Sequence, residues 1–317
     1  MTTAFLYPGQ GAQYVGMGKD FYERFSVARS AFDTADRVLA RPLTQIIFHG
    51  PAEVLSQTEN TQSAMLSVCV AITRLLQEAG VCATHAAGLS LGEYAALVAA
   101  GALSYEEALL LVEDRARFMQ EAVPQGVGGM TAILGLDEAG VEEAVAHGRD
   151  FGKTYIANYN APGQIVLTGE AAGLSAAAKK AKELGARRCM PLDVSAPFHS
   201  PMLAPAKEKL EARLAEISFS TPALRVYANV DAKPIPPAGA IADLLGRQVT
   251  GSIYFQQSIE AMLKEGVTQF VEIGPGKALT GFVKRIAKEA GLAPRLVNLQ
   301  TAEDFERFIN EEKGARS

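Results

Sequence analysis

Gly88-Leu89-Ser90-Leu91-Gly92 sets a serine between two glycines in the spacing G-x-S-x-G. In that pattern a short strand turns sharply into a helix, and the serine sits at the apex with its hydroxyl pushed into a cleft. The turn is tight enough to leave no room for a Cβ on either side of the serine. The flanks agree with this reading: residues 81–87 are short and mostly small or apolar, and residues 93–100 form a nearly all-apolar helix that stops at Gly101. A bare G-x-S-x-G also arises by chance, as a glycine-flanked serine capping a buried helix.

A serine hydroxyl is a poor nucleophile until a positioned base takes its proton. Four histidines are available. His85 lies on the strand leading into the turn, too far along it to face the hydroxyl. His147 sits in a charged helix end and His49 in a Phe-His-Gly turn, both surface positions. His199 lies in the proline-flanked loop 195–201, and rigid loops commonly display catalytic groups. His199 is the best candidate base; the alternative is a loop histidine bonded to its own backbone.

Cys69, Cys82 and Cys189 form no C-x-x-C pair and read as small reduced core residues of a cytosolic protein. Without H-E-x-x-H spacing, no histidine-based metal site is expected. The turn Gly9-Gln10-Gly11 resembles a phosphate cradle only weakly, since it has neither the P-loop Lys-Ser/Thr nor a full G-x-G-x-x-G.

The elements that must position these groups follow from periodicity. Residues 5–7 read as a strand, and helical spacing runs over 18–39, 62–79 and 105–123, an alternation that argues for a doubly wound parallel sheet. The character changes after 124–126. Strands at 130–134, 155–160, 164–168 and 187–192, with helices at 137–147 and 171–184, give the order β-α-β-β-α-β, a ferredoxin-like insertion. The main unit resumes near Val194, with a strand at 225–227 and a last strand at 269–273 that feeds Gly274-Pro275-Gly276 and a basic helix through Lys288.

At 317 residues, 48% hydrophobic and 21% charged, the chain can bury a sizeable core. Its net charge of −5 offers no general field for nucleic acid, so an acidic partner must meet a local basic patch. Two such patches are visible: Lys179, Lys180, Lys182, Arg187 and Arg188, and Lys277, Lys284, Arg285 and Lys288. The N-terminal residues show no signal-peptide pattern and no stretch is long and apolar enough for a membrane span, so a cytoplasmic location is expected.

Six ordered segments closely resemble the malonyl-CoA:acyl-carrier-protein transacylases and the similar acyltransferases of polyketide synthases. They are Pro8-Gly9-Gln10-Gly11-Ala12-Gln13, Gly88 through Tyr94, Val112 through Gln120, Asn158 through Gln164, Phe198-His199-Ser200 and Gly274 through Gly281. The resemblance spans residues 5–290. It implies an α/β fold, an α/β-hydrolase-like parallel-sheet core at 1–125 and 194–317 with a small ferredoxin-like subdomain at 126–193.

The same resemblance makes Ser90 the acylated nucleophile and His199 its base, with no carboxylate third member. The oxyanion hole would be the N–H groups of Gln10 and Leu91. Arg115 would grip the malonyl carboxylate, since a guanidinium matches a carboxylate bidentately. On the residues alone, Arg115 beside Asp114 and Arg117 reads rather as an exposed helix charge, and the motif match reverses that reading. Phe198, Asn160 and Gln248 complete the substrate-binding set: Phe198 as the bulky residue of malonyl-selective members, and Gln248 as the candidate for the backbone carbonyl that orients the histidine. Leu89 departs from the pattern, which commonly has histidine there.

The function so implied is transfer of malonyl from malonyl-CoA to the phosphopantetheine thiol of an acyl carrier protein, in fatty-acid or polyketide synthesis. No metal, nucleotide or redox cofactor is implied, and neither nucleic acid nor membrane is a partner. A hydrolase that clears stalled carrier proteins is the nearest rival, but it gains nothing from Arg115. A non-catalytic carrier-binding module would not need Ser90 and His199. A general α/β-hydrolase esterase lacks an acidic triad member placed between serine and histidine in chain order.

Overall fold

The computed structural model describes residues 2–124, 126–194 and 196–314. Gln125, within the change of character at 124–126, and Ser195, at the head of the histidine loop, lie outside the described residues.

Among the described residues, nine strands form two sheets. The first contains β1 (Thr3–Tyr7), β2 (His85–Gly88), β7 (Arg225–Tyr227), β8 (Gln269–Ile273) and β9 (Arg295–Leu299), in the order β7-β2-β1-β8-β9. Every neighbour is parallel. β1, β2 and β8 are buried along their whole length, which is what a parallel sheet with helices on both faces requires. On one side lies the helix Thr58–Glu78, buried around nearly its whole circumference, with Ser26–Leu39 and Tyr105–Glu121 packed against it. The other side is a smaller cluster around Phe255, Ile259, Phe270 and Val283.

The second sheet contains β3 (Gly128–Leu134), β4 (Thr154–Ala161), β5 (Gln164–Glu170) and β6 (Arg188–Pro191), ordered β4-β5-β3-β6 with every neighbour antiparallel. Two helices, Glu138–Arg149 and Ala171–Glu183, cover one face around Ile133, Val141, Leu167 and Leu174. This is the ferredoxin-like arrangement beside an α/β-hydrolase-like parallel core. The sheet joins the rest of the chain by backbone pairing: Tyr159 N–H donates to Ile253 O (2.9 Å) and Ile253 N–H to Ala157 O (2.8 Å).

Four readings of the sequence need correction. The periodicity over 18–39 is two helices, Lys19–Arg24 and Ser26–Leu39, because Phe25 is extended and packs its ring on Phe21 and Phe305. The strand before Ser90 begins only at His85. β8 is not the last strand: β9 follows at the sheet edge, its residues partly buried. Cys82 is exposed rather than a core residue, whereas Cys69 is buried.

Candidate active site

The reactive groups gather at the carboxyl ends of adjacent parallel strands, where open α/β sheets place their crevices. Gly9 and Gln10 follow β1, Ser90 follows β2, and Asn229 follows β7. The glycines serve close approach: a Cβ on Gly88 would lie 1.8 Å from the Gly92 carbonyl carbon, and one on Gly92 2.0 Å from Tyr7 O. Ser90 itself has φ 55°, a left-handed conformation unusual for a residue with a side chain. Asn229 spans this turn, accepting the Ser90 N–H at Oδ1 (2.7 Å) and donating from Nδ2 to Gly88 O (2.7 Å).

His199 Nε2 lies 2.8 Å from Ser90 Oγ, and its Nδ1 lies 2.9 Å from the backbone oxygen of Gln248. A carbonyl only accepts, so Nδ1 carries the proton and Nε2 is left to accept from the serine. Burial, and then the nearby Arg115 charge, push the imidazole from its ordinary 6.5 down to about 3, against the support of the Gln248 carbonyl. The ring is therefore neutral at physiological pH. His199 also has positive φ (58°), so both members of the pair sit in strained backbone. The other histidines lie elsewhere: His49 and His147 are exposed, and His85 bonds Glu265 at 3.1 Å.

Arg115 is 1% exposed, on the buried face of Tyr105–Glu121, while Asp114 next to it pairs with Arg117 and Arg213. Its Nη1 donates to Gln62 Oε1 (2.6 Å), and its Nη2 to Ser90 Oγ (3.1 Å) and Gln248 Oε1 (3.0 Å). Nε is buried without a partner. The guanidinium carbon stands 5.4 Å from the Tyr94 ring centre, a cation–π contact. Gln248 Nε2 donates in turn to Ser90 O (2.9 Å) and to Glu93 Oε2 (2.7 Å).

A cavity of about 190 Å³ opens over these groups. Gln10, Leu89, Leu91, Arg115, Asn160, Phe198, Ser90 and His199 all line it, so the structure brings the whole sequence-derived set to one place, with Gln248 directly behind. Leu91 is the N-cap of the helix Gly92–Ala99, where an N–H has no intrahelical acceptor and the dipole favours negative charge. Leu89, at the position where histidine was the commoner residue, adds apolar wall. Among the described residues, no group of three or more His, Cys, Asp or Glu is placed to hold a metal ion. No described helix is long and apolar enough to cross a membrane.

Such a site can deprotonate a serine, hold an oxyanion on backbone N–H groups, and offer a buried cation to an acyl carboxylate. Sequence reasoning missed Gln62, Asn229 and Glu93. Asn229 had a signal, because it follows the end of a strand adjacent to the one bearing Ser90. Glu93 stood inside the quoted motif without a role.

Residues 4–314 match the family described as the acyl transferase domain. The chain is 44% identical over 284 residues to the malonyl CoA-acyl carrier protein transacylase of Bacillus subtilis (strain 168), covering 89% of this chain and 90% of that one. It is also similar to the solved malonyl CoA-acyl carrier protein transacylase of Clostridium perfringens, with TM-score 0.94 and 40% identity over 100% of this chain and 98% of that chain. A malonyl-transacylase solved in complex with its type II PKS acyl-carrier protein matches at TM-score 0.94 and 38% identity, over 98% and 100% of the two chains.

Proposed function

The chain belongs to the acyl transferase domain family and is an acyltransferase, and from that premise we propose that it moves malonyl from malonyl-CoA to the phosphopantetheine thiol of an acyl carrier protein through a Ser90 ester. In the first half-reaction Ser90 Oγ gives its proton to His199 Nε2 and attacks the thioester carbonyl. The oxyanion is held by the N–H groups of Gln10 and Leu91. Collapse breaks the C–S bond, and the departing CoA sulfur takes the proton from His199. In the second, the carrier thiol gives its proton to His199, its sulfur attacks the ester carbonyl, and Oγ leaves with the proton restored. Each half exchanges one acyl linkage for another, so the arrangement is reversible and calls for no metal, nucleotide or redox cofactor.

The observation that carries the malonyl assignment is the fully buried guanidinium of Arg115 at 3.1 Å from Ser90 Oγ. A buried charge without a carboxylate partner is costly, and a malonyl carboxylate would supply that partner. The relatives' names and the carrier complex of one neighbour support the same reading. Phe198 and Asn160, on the cavity wall, would shape the acyl pocket.

Brief incubation with radiolabelled malonyl-CoA tests the proposal. Label should remain on the peptide carrying Ser90 and be absent from Ser90→Ala; label on Cys82 or Cys189 would overturn the serine assignment. His199→Ala should slow acylation about 10²–10⁴-fold, the usual share of a general base. Carrier proteins of fatty-acid and polyketide synthesis, offered side by side, decide the pathway.

A further inference from the structure

Glu93 is the second residue of the helix that follows the nucleophile, and the steps above make no use of it. It is wholly buried. Its Oε2 accepts from Gln248 Nε2 (2.7 Å) and from the Asn229 N–H (3.2 Å), while Oε1 has no hydrogen-bond partner. The Gln248 amide thereby faces two ways. Its NH₂ group is committed to Glu93 Oε2 and to Ser90 O, and its oxygen accepts from Arg115 Nη2. Turned over, the amide would point its own N–H groups at the guanidinium, donor against donor. Two acceptors on one side, Ser90 O and Glu93, hold it the right way round.

We propose that Glu93 is a positioning residue for acyl selectivity, which fixes the Gln248 amide with its oxygen toward Arg115 and so holds the guanidinium ready for an acyl carboxylate. The inference rests on the reading that a carboxylated acyl group enters this site. His199 is held by the backbone oxygen of Gln248 and not by its side chain, so the base keeps that partner when the side chain is exchanged. The positioning is also independent of the charge on Glu93. A proton on the unpartnered Oε1 leaves Oε2 free to accept, and a glutamine at 93 would accept through its own oxygen.

The test measures malonyl-CoA and acetyl-CoA transfer by wild type, Glu93→Gln, Glu93→Met and Gln248→Met, each normalised to the amount of Ser90 that can be acylated. Losing one net hydrogen bond of about 1 kcal/mol from the arginine clamp corresponds to roughly a fivefold change. Glu93→Met should raise the KM for malonyl-CoA about fivefold at unchanged kcat and leave acetyl transfer within about twofold. Glu93→Gln should restore both substrates to near wild type, as retained acceptor geometry requires. Gln248→Met should lower the malonyl-to-acetyl ratio by about the same factor, and the double variant should lower it no further.

Equal loss on both thioesters means a structural role and overturns the inference. So does Glu93→Gln falling as far as Glu93→Met, which would mean that charge and not orientation matters. If Glu93→Met does not fold, an unchanged malonyl-to-acetyl ratio in Gln248→Met overturns it alone. Wild type that transfers no malonyl overturns the functional reading together with this one, whereas malonyl transfer with unmoved ratios overturns this one only.

Discussion

Arg115 Nη2 donates to the oxygen of the nucleophile itself, Ser90 Oγ, at 3.1 Å. One guanidinium thus touches both the reacting atom and the place where an acyl carboxylate would lie. Charge-assisted hydrogen bonds are worth about 1.5–3 kcal/mol. Arg115→Ala should therefore cost roughly 10–150-fold in kcat/KM for malonyl-CoA, at about 1.4 kcal/mol per tenfold. Acetyl-CoA has no carboxylate, and its transfer should hold or improve. Arg115→Lys should rescue only partly, since lysine lacks the fork. Paired rates on purified carrier protein check this; an equal fall with both thioesters would make Arg115 structural.

Two buried groups pull the pH dependence of stability in opposite directions. His199 is pushed from 6.5 to about 3, chiefly by burial and then by Arg115. The unfolded chain binds that proton first, so this contribution is full above 6.5 and lost as pH falls toward 3. Glu93 is raised from 4.5 to about 7, chiefly by burial. The folded chain holds that proton longer, so its contribution is full below 4.5 and lost as pH rises through 7. Between 4.5 and 6.5 the two slopes offset one another. In Glu93→Gln only the histidine slope remains, about 1.4 kcal/mol per pH unit at most. Urea unfolding at pH 5 and pH 6.5 should show the variant losing stability on acidification faster than wild type; matching slopes would contradict the assignment.

The elbow depends on Asn229 in a separable way. It satisfies Ser90 N–H and Gly88 O at 2.7 Å each, in a turn where Ser90 has φ 55°. Asn229→Ala strands both groups, at about 1–3 kcal/mol for each left unpaired. Chemical denaturation should register that loss. Acylation by malonyl-CoA and acetyl-CoA should fall by one common factor, in contrast to Arg115→Ala. An Asn229→Ala protein as stable as wild type would remove Asn229 from this account.

The legibility of the site in the sequence follows chain distance. Ser90 stood out because its turn is local: two glycines four residues apart are dictated by backbone approaches under 2.5 Å at that one corner. Arg115 was ambiguous beside Asp114 and Arg117, although Ala108, Val112 and Met119 at helical spacing place 115 on the apolar face. A charge in that stripe is a signal in itself. Asn229 and Glu93 meet only through strand order, which brings β7 beside β2 from far along the chain. β9 escaped notice for another reason: it is only five residues long and sits at the sheet edge, where its side chains are partly rather than fully buried.

Strand order also changes how the basic residues are to be tested. Read along the chain, 179–188 and 277–288 are separate clusters, but the fold joins them. Arg187 and Arg188, at β6, and Arg285, from the helix Ala278–Glu289, line one surface concavity with the turn at Pro162 and Gly163. That turn begins two residues after Asn160, which lines the reactive cavity. Arg285 bonds only the neutral Gln164, at 2.9 Å, and none of the three has an ion-pair partner among the described residues. Lys180, by contrast, is paired with Glu143 at 2.9 Å. Unpaired guanidiniums in a chain of net charge −5 are the natural contact for an acidic carrier. Reversing the charge at Arg188 and Arg285 should therefore raise the KM for carrier protein by about tenfold or more, steeply at low salt and less at high salt. The same reversal at Lys180 should do little. The KM for malonyl-CoA in the first half-reaction separates the two substrates. If it rises by the same factor as that for the carrier, the concavity serves a group common to both, the phosphate of the pantetheine arm, and the carrier's own acidic surface docks elsewhere.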